Sequence, residues 1–418
     1  MNLAGAVHAQ GAGGARGTAR LNGRASGLRC PRLDLQLIGV VAALLSIGLV
    51  MVTSASITTA DRQLGDPFYY ALRQGIYLLA GLGVGALIFR VRMAHWSRAG
   101  VPVLMLALAL LAVVLIPGIG RSVNGATRWI GLGPVNIQVS EPAKLLLFIY
   151  LAGYLVRRAE EVRHQVSGFI KPMAVLGFAG VLLLAEPDFG ATVVLLATSL
   201  AMMFLAGVRW WQFAVLIGSA VAAMSLLAIT SPYRMKRLTT FVHPWEDPFN
   251  SGFQLTQSLI AIGRGHWSGV GLGGSVQKLF YLPEAHTDFV FAVWAEEFGL
   301  FGVLLLVALY ALLVWRAFSI GSVAQKAGDH FSGYLAYGIG TWLGLQSVIN
   351  MGVNMGALPT KGLTLPLLSY GGSSLMVMCM AIAILLRIDY ETRCSVHTLS
   401  TAPDPGPTPR RASARRPA

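Results

Sequence analysis

The sequence predicts an all-α polytopic membrane protein with about ten transmembrane helices and a large extracytoplasmic loop between helices 7 and 8. Hydrophobic residues make up 55% of the 418 residues and the mean hydropathy is +0.63, which is too apolar for a soluble domain of this length. The apolar residues come in blocks of roughly 17–25, the length at which a helix spans a bilayer. They do not alternate as β-barrel strands do, and in lipid a helix satisfies its own backbone hydrogen bonds. The blocks are 35–54, 70–89, 100–117, 142–156, 170–185, 189–207, 210–230, 288–315, 331–355 and 365–387.

The distribution of Lys and Arg predicts the orientation of the chain. Basic residues follow every second apolar block, as at Arg90, Arg157, Arg209 and Arg316, and the alternate short connections carry fewer. Because connections rich in Lys and Arg stay on the cytoplasmic side, both termini are predicted to be cytoplasmic. The connection 231–287 then faces outward, and its own cations do not prevent this because long loops translocate regardless of charge.

The ends of the chain differ in composition from the part between them. Residues 1–33 and 391–418 are rich in Arg and in small or polar residues, and they carry much of the net charge of +14. Such segments cannot bury a core, so disordered basic cytoplasmic tails are predicted on either side of a transmembrane domain at 34–390. Their charge fits contact with anionic lipids, and nothing in the sequence motivates nucleic-acid binding. The three cysteines do not indicate a disulfide framework or a metal cluster.

Four acidic residues cluster at the start of the eighth predicted helix: Glu284, Asp288, Glu296 and Glu297. Only 12% of the chain is charged, so this concentration needs a reason. As a helix N-cap, Asp288 would need no further explanation. Glu296 and Glu297 lie roughly 12 Å farther along the helix at 1.5 Å per residue, and carboxylates at that depth need partners or a water-filled cavity. The sequence predicts an outward-facing polar cavity with these two residues as cavity acids.

Two further acidic positions have competing interpretations. Glu141 and Lys144 are three residues apart and share a helix face. They are either a capping acid with a snorkelling lysine or a polar pair that faces a cavity. Asp188, in the short turn between two predicted helices, is best interpreted as the N-cap of the second.

Several cations accompany these acids on the predicted outer side. Arg234 and Arg237 lie in the long loop, Lys278 lies farther along it, and Lys361 lies in the connection before the last helix. Arg in particular suits an anionic head group because its planar fork matches phosphate oxygens. The glycine-rich stretch 263–274 matches neither a P-loop nor a dinucleotide fingerprint and follows no strand, so no nucleotide site is predicted.

Small residues cluster just before the last predicted helix. Gly371 and Gly372 stand among serines that include Ser369. They allow either the close approach of a ligand or backbone, or tight packing of helices through small residues.

Three of these segments, 124–144, 283–299 and 359–374, resemble the signature segments of the SEDS family of FtsW, RodA and SpoVE. The resemblance extends over 34–390 in order. It is specific because several separate motifs match in sequence and topology.

Details of the motifs refine the resemblance. Segments 277–288 and 361–372 resemble the division member of the family more than the elongation member. Val139 stands where the family commonly has a proline before the Ser-Glu pair, and Pro142 follows that pair. This departure is expected to shift the start of the fourth helix by a residue, and with it the pose of Glu141.

The resemblance implies a peptidoglycan glycosyltransferase that polymerises lipid II, a disaccharide-pentapeptide carried on undecaprenyl diphosphate. It further implies a class B penicillin-binding protein as cross-linking partner, other division proteins, and a place in the bacterial cytoplasmic (inner) membrane at the division septum. It makes Asp288 the catalytic residue and places Glu141 and Lys144 in the cavity.

The implied chemistry fits the residues. A carboxylate can take the proton of an acceptor hydroxyl, and a leaving diphosphate needs positive charge from side chains or from a divalent cation such as Mg or Mn. The sequence does not identify ligands for such a metal. The candidate substrate-binding residues are Glu141, Lys144, Trp129, Arg234, Arg237, Lys278, Lys361, Ser369, Gly371 and Gly372.

Two other functions remain open at this point. A lipid II flippase would also be a helical bundle with a polar interior. Transporters often show inverted repeats, but no paired repeat is evident between the two halves here, and the polar residues crowd the outer ends rather than the centre. A purely structural division scaffold would need neither the deep acids nor the basic outer loop.

Overall fold

The computed structural model of the chain describes residues 33–123, 126–132, 135–215, 218, 244–250, 252–359 and 362–400. The candidate residues Arg234, Arg237 and Lys361 lie outside these ranges, as do most of the seventh predicted helix, nearly all of the predicted N-terminal tail and residues 401–418 of the predicted C-terminal tail.

The described chain is mostly helical. Its helices are α1 (Leu35–Leu64), α2 (Tyr69–Arg90), α3 (Met93–Arg98), α4 (Gly100–Val114), α5 (Ser140–Arg157), α6 (Ala159–His164), α7 (Val166–Ala185), α8 (Phe189–Leu205), α9 (Phe253–Gly265), α10 (Val290–Lys326), α11 (His330–Asn354) and α12 (Gly372–Ser400). Every predicted apolar block except the seventh overlaps one of them.

Length and hydropathy agree with a multi-pass membrane protein. Among the described residues, five helices are long and apolar enough to cross a membrane: α1, α2, α7, α10 and α12. Helices α4 and α8 are apolar but shorter. Large apolar side chains are exposed on the outer surfaces of the helices, for example Leu79 on α2 and Val181 on α7. Such exposure is expected where helices face lipid.

A small antiparallel sheet joins α4 to α5, which the all-α prediction did not include. Its strands are β1 (Gly120–Val123), β2 (Ala126–Leu132) and β3 (Val135–Gln138), in the order β1-β2-β3. Arg121 pairs with Trp129 and Ser122 pairs with Thr127, so Arg128 is an extra residue on β2. It therefore forms a β-bulge, a feature that re-aims a side chain. The end of the bundle that carries this sheet is called the sheet end below.

Helix α10 is broken at Gly299, where φ is 63° and ψ is −160°. This conformation is essentially restricted to glycine. The two carbonyls before the break and the two amides after it pair with the backbone of segment 266–271 at 3.0–3.2 Å. The break is tolerated because these backbone groups find partners within the protein.

Helix α11 is the interior element of the bundle, packed on α5, α8 and α10. Its glycines permit this closeness: a Cβ on Gly338 would lie 2.6 Å from the Met202 sulfur, and one on Gly340 would lie 2.8 Å from the Ala317 Cβ. Small residues at helix interfaces commonly let membrane helices approach one another.

Helix α12 extends ten residues beyond position 390, where the sequence predicts a tail to begin. Pairs of opposite charge four residues apart support the extension, with Arg387 Nε at 2.6 Å from Glu391 and Arg393 Nε at 2.8 Å from Asp389. At the same end Asp34, the N-cap of α1, pairs with Arg316. These contacts close the bundle opposite the sheet end.

Candidate functional site

Asp288, which the family resemblance makes catalytic, lies at the sheet end, shortly before the start of α10. Its backbone carbonyl accepts hydrogen bonds from the side-chain amides of Asn350 (2.9 Å) and Asn354 (3.1 Å) on α11. A Cβ at Gly362 would lie 3.0 Å from the Asp288 Oδ2, so a larger residue there would require the carboxyl to shift. The backbone of Asp288 is thus fixed by the buried helix, while its side chain makes no hydrogen bond with the residues that the structure describes.

The surroundings of Asp288 favour its protonated form. Part of the residue remains exposed, but protein encloses its carboxyl group, and this burial raises its pKa to about 7. The charge of Glu284 raises the pKa further, Arg128 lowers it, and Asp188 adds a smaller increase. A carboxyl with a pKa near 7 can both accept and release a proton at neutral pH.

Asp188 is the N-cap of α8, as predicted. Its Oδ1 accepts a hydrogen bond from the Ala191 amide at 3.0 Å. Its Oδ2 accepts from the Ser140 hydroxyl at 3.0 Å and from the Gln138 side chain at 3.2 Å, and the Arg128 guanidinium lies 3.8 Å away. Both oxygens are therefore occupied, and the residue joins the turn, the sheet and α5.

Glu186, two residues earlier, is the opposite case. It is fully buried, and neither of its carboxylate oxygens has a hydrogen-bond partner among the described residues. Burial first, and then the charge of Asp188, raises its pKa to about 8, with Arg128 opposing the shift. At neutral pH Glu186 is mainly an uncharged carboxylic acid.

Arg128 acts electrostatically on all three of these carboxyl groups. It is the charge that opposes the rise in pKa at both Asp288 and Glu186, and it forms the long ion pair with Asp188. No pattern in the sequence indicates a role for Glu186 or Arg128, because a bulge and a missing partner are properties of the folded chain.

Glu141 and Lys144 form a buried ion pair on α5. The Lys144 side chain has no exposed surface and therefore does not snorkel. Its Nζ lies 2.9 Å from Glu141 and 3.2 Å from the Gln346 side-chain oxygen on α11, which also accepts from the Trp342 indole at 2.8 Å. The pair points into the bundle, and the second oxygen of Glu141 has no partner.

Glu296 binds the segment that precedes the long turn before α10. Its carboxylate accepts hydrogen bonds from the Ser275 hydroxyl (2.5 Å), the Val276 amide (3.1 Å) and the Arg264 guanidinium (3.1 Å). It is fully buried, so these donors replace the water that a carboxylate otherwise requires.

Glu297 is equally well supplied with partners. The Lys278 ammonium lies 2.7 Å away, and the Ser54 hydroxyl of α1 donates at 2.8 Å. Lys278 also donates to the Ser54 oxygen at 2.9 Å. The two predicted cavity acids therefore anchor the segment 264–278 to α10 and α1. A hydrated cavity beside them remains a prediction.

Ser369, Gly371 and Gly372 lie where the chain enters α12. The Ser369 hydroxyl accepts from the Leu365 amide at 2.8 Å. A Cβ on Gly372 would come within 2.6 Å of the Tyr77 ring, whereas one on Gly371 would make ordinary contact at 3.5 Å. Gly372 thus permits close packing of α12 on α2.

An aromatic cluster borders Asp288 on the α2 side. The His286 ring lies 4.6 Å from the Tyr70 ring and 5.6 Å from the Tyr370 ring, and the His286 carbonyl accepts from the Tyr370 amide at 2.9 Å. Burial lowers the pKa of His286 and raises that of Tyr370 to about 12, so both rings are uncharged at neutral pH. Trp129 is half-buried and pairs with Arg121 and Gln138 in the sheet, beside Arg128.

No group of three or more His, Cys, Asp or Glu side chains is arranged to hold a metal ion within the part of the chain that the structure describes. Magnesium commonly uses only one or two protein carboxylates and takes its other ligands from water and substrate phosphates. Asp288 and its neighbours fit that sparse donor set, and a divalent cation there remains a prediction.

A family model described as "Cell cycle protein", covering FtsW, RodA and SpoVE, matches residues 35–394. The chain belongs to this family. The matched range contains the sheet, the turn at Asp188 and the whole segment around Asp288.

Relatives cover most of the chain. It is 60% identical over 361 residues to a probable peptidoglycan glycosyltransferase FtsW of Thioalkalivibrio sulfidiphilus, covering 86% of this chain and 90% of the relative. A Legionella pneumophila protein of the same name is 55% identical over 360 residues, with coverage of 86% and 91%.

Solved structures agree with the fold. A structure described as "Structural coordination of polymerization and crosslinking by a peptidoglycan synthase complex" matches with a TM-score of 0.72 and 32% identity, covering 86% of this chain and 98% of that one. The crystal structure of the rod shape determining protein RodA of Thermus thermophilus matches with a TM-score of 0.63 and 29% identity, covering 85% and 96%.

Proposed function

We propose that the chain is a peptidoglycan glycosyltransferase that polymerises lipid II during septal cell-wall synthesis, with Asp288 as its catalytic base. The observation that carries the proposal is the state of this one carboxyl. It is enclosed, fixed through its backbone by Asn350 and Asn354, and makes no hydrogen bond with the described residues. Its pKa near 7 suits a group that must accept a proton at neutral pH.

The reaction joins two lipid-linked substrates. Asp288 takes the proton of a sugar hydroxyl of the acceptor as that oxygen attacks the anomeric carbon of the donor. The bond from the anomeric carbon to the diphosphate breaks, and the lipid diphosphate leaves with the bonding electrons. In-line displacement inverts the anomeric centre. A diphosphate leaves without strong protonation, so one carboxylate suffices, and a bound divalent cation would neutralise charge on the leaving group.

The remaining features define the setting of this reaction. The sheet end faces the outside of the bacterial cytoplasmic membrane, where lipid II is polymerised, and both termini are cytoplasmic. The similarity to the peptidoglycan synthase complex supports a class B penicillin-binding protein as cross-linking partner. The identity to division-type relatives supports a place at the septum.

The test uses the purified chain with its cross-linking partner in liposomes. Labelled lipid II and Mg or Mn are added, and glycan polymer and transbilayer movement of the label are both followed. We expect polymer, and a rate that rises with pH through about 7 as Asp288 loses its proton. Label that crosses the bilayer without forming polymer would instead identify a flippase.

A further inference from the structure

The arginine at the bulge of β2, Arg128, is poorly supplied with partners. Its Nε is buried and has no hydrogen-bond partner among the residues that the structure describes, although 22% of the side chain remains exposed. Its ion pair with Asp188 is long, at 3.8 Å, and the Asp188 oxygen concerned already accepts two other hydrogen bonds. A guanidinium has five N–H donors, so most of its capacity is unused.

Other arginines of the protein show what a satisfied guanidinium looks like here. Arg387 and Arg393 reach carboxylates at 2.6 and 2.8 Å, and Arg264 reaches Glu296 at 3.1 Å. A buried donor without a partner destabilises the folded protein, because its hydrogen bonds to water are lost and not replaced. Arg128 is therefore held in a state that a bound anion would improve.

The backbone directs Arg128 to this position. It is the extra residue of the bulge between the pairs Arg121–Trp129 and Ser122–Thr127. Bulges are common next to active sites, where they re-aim side chains. On the other edge, the Arg128 carbonyl accepts from the Val139 amide at 3.2 Å, which fixes the bulged residue against the start of α5.

The charges around Arg128 leave it available. Both oxygens of Asp188 already accept hydrogen bonds, and Glu186 is mainly uncharged at neutral pH. Neither acid therefore forms a short ion pair with the guanidinium. The charge of Arg128 lowers the pKa of Asp288, so the guanidinium acts electrostatically on the proposed catalytic group.

We propose that Arg128 binds a phosphate oxygen of the diphosphate that links the sugar to its lipid, on the side of Asp288 that faces the sheet. This inference rests on the proposed function. A guanidinium fork matches phosphate oxygens in two parallel hydrogen bonds, and it stabilises the negative charge that grows on the diphosphate as the glycosidic carbon is released. Arg128 binds the leaving diphosphate, while Asp288 accepts the proton of the acceptor hydroxyl.

The experiment measures binding, so it does not depend on turnover. Wild type, Arg128→Gln, Arg128→Lys and the control Arg121→Gln are purified in a phosphate-free maltoside detergent and titrated with labelled lipid II and with undecaprenyl diphosphate. Arg121 is a matched control because it is an exposed arginine on the neighbouring strand whose partner is the Asn136 side chain.

We expect Arg128→Gln to weaken the binding of both ligands about ten- to hundredfold, the loss typical of a hydrogen bond to a charged group. Arg128→Lys keeps the charge but not the fork and should fall in between, and Arg121→Gln should bind as wild type does. Should Arg128→Gln not fold, the loss in Arg128→Lys decides the question.

Two results would overturn the inference. These are equal affinities for wild type and both Arg128 variants, or an equal loss in Arg121→Gln. If wild type binds lipid II but makes no polymer, the proposed function fails while the binding result still judges Arg128.

Discussion

Two pairs of acids at the sheet end differ in one respect, the supply of partners. Glu296 and Glu297, one turn before the break in α10, each accept several hydrogen bonds and each pair with a cation. Glu186 and Asp288 are also enclosed, yet their carboxyls make no hydrogen bond with the described residues. The first pair has its charge compensated by the protein, whereas the second pair responds by a rise in pKa.

This difference separates holding the fold from performing chemistry. A carboxylate whose oxygens are all engaged is a poor proton acceptor, because each donor stabilises the charged form. A carboxyl left without donors keeps a pKa near neutrality and remains open to a substrate. The comparison assigns Glu296 and Glu297 to anchoring the segment that leads to Asp288, and Asp288 to the reaction.

The largest effect on stability should come from Lys278→Met. This change leaves Glu297 buried with only the Ser54 hydroxyl, and breaking a buried ion pair typically costs about 3–5 kcal/mol. The double variant Lys278→Met/Glu297→Gln removes both charges and should recover much of that loss. Thermal unfolding in detergent measures both. A double variant no more stable than the single one would mean that the pair is not the source of the cost.

Gly299→Ala should come next. The positive φ and the ψ of −160° cost a non-glycine residue about 1–3 kcal/mol, and the new Cβ would lie 2.4 Å from the Gly269 amide nitrogen. The control is Gly263→Ala in α9, where a Cβ meets nothing within 4 Å and alanine should stabilise the helix slightly. Equal unfolding temperatures for the two variants would contradict the strained break.

Glu186→Gln tests, through the pH dependence of stability, whether a buried acid without hydrogen-bond partners has a raised pKa. Because burial raises the pKa of Glu186 from 4.5 to about 8, the folded chain holds a proton between these pH values that the unfolded chain releases. The contribution of Glu186 to stability therefore falls as pH rises from about 4.5 to about 8 and is constant above it.

Glutamine cannot ionise, so Glu186→Gln should gain stability relative to wild type as pH rises through this window. Unfolding temperatures at several pH values measure the trend. Glu160→Gln, at an exposed glutamate near the opposite end, is the control. Parallel curves for wild type and Glu186→Gln would show that Glu186 has an ordinary pKa.

The smallest effect should be at Asp188, which has partners and also caps α8. Asp188→Ala should lose about 1 kcal/mol of stability, whereas Asp188→Asn should cap nearly as well. Urea or thermal unfolding of the two variants separates these outcomes. A larger loss in Asp188→Asn would show that its charge, rather than its capping oxygen, is what the turn requires.

The sequence predicted the helices and the N-cap because both follow from local patterns. The depth of Glu296 and Glu297 also predicted that they need partners or water, but it could not choose between them. The partners that decide the matter, Ser54 and Ser275, lie far away in sequence.

The sheet, Glu186 and Arg128 escaped prediction for a related reason. Short strands broken by Gly and Pro, such as those before α5, carry little periodicity. The bulge at Arg128 depends on the register between β1 and β2, which no short pattern fixes. The lack of a partner for Glu186 can be seen only once every neighbour has been placed.

The most direct test of this division of labour compares Asp288→Asn with Glu297→Gln in two assays, thermal unfolding and lipid II polymerisation by the folded protein. We predict that Asp288→Asn unfolds near the wild-type temperature but polymerises at least about a hundredfold more slowly, the loss expected for a general base. Glu297→Gln should unfold at a lower temperature, and its folded fraction should still make polymer. Normal polymerisation by folded Asp288→Asn would contradict the account, because the unpartnered carboxyl would then not be the one that performs the chemistry.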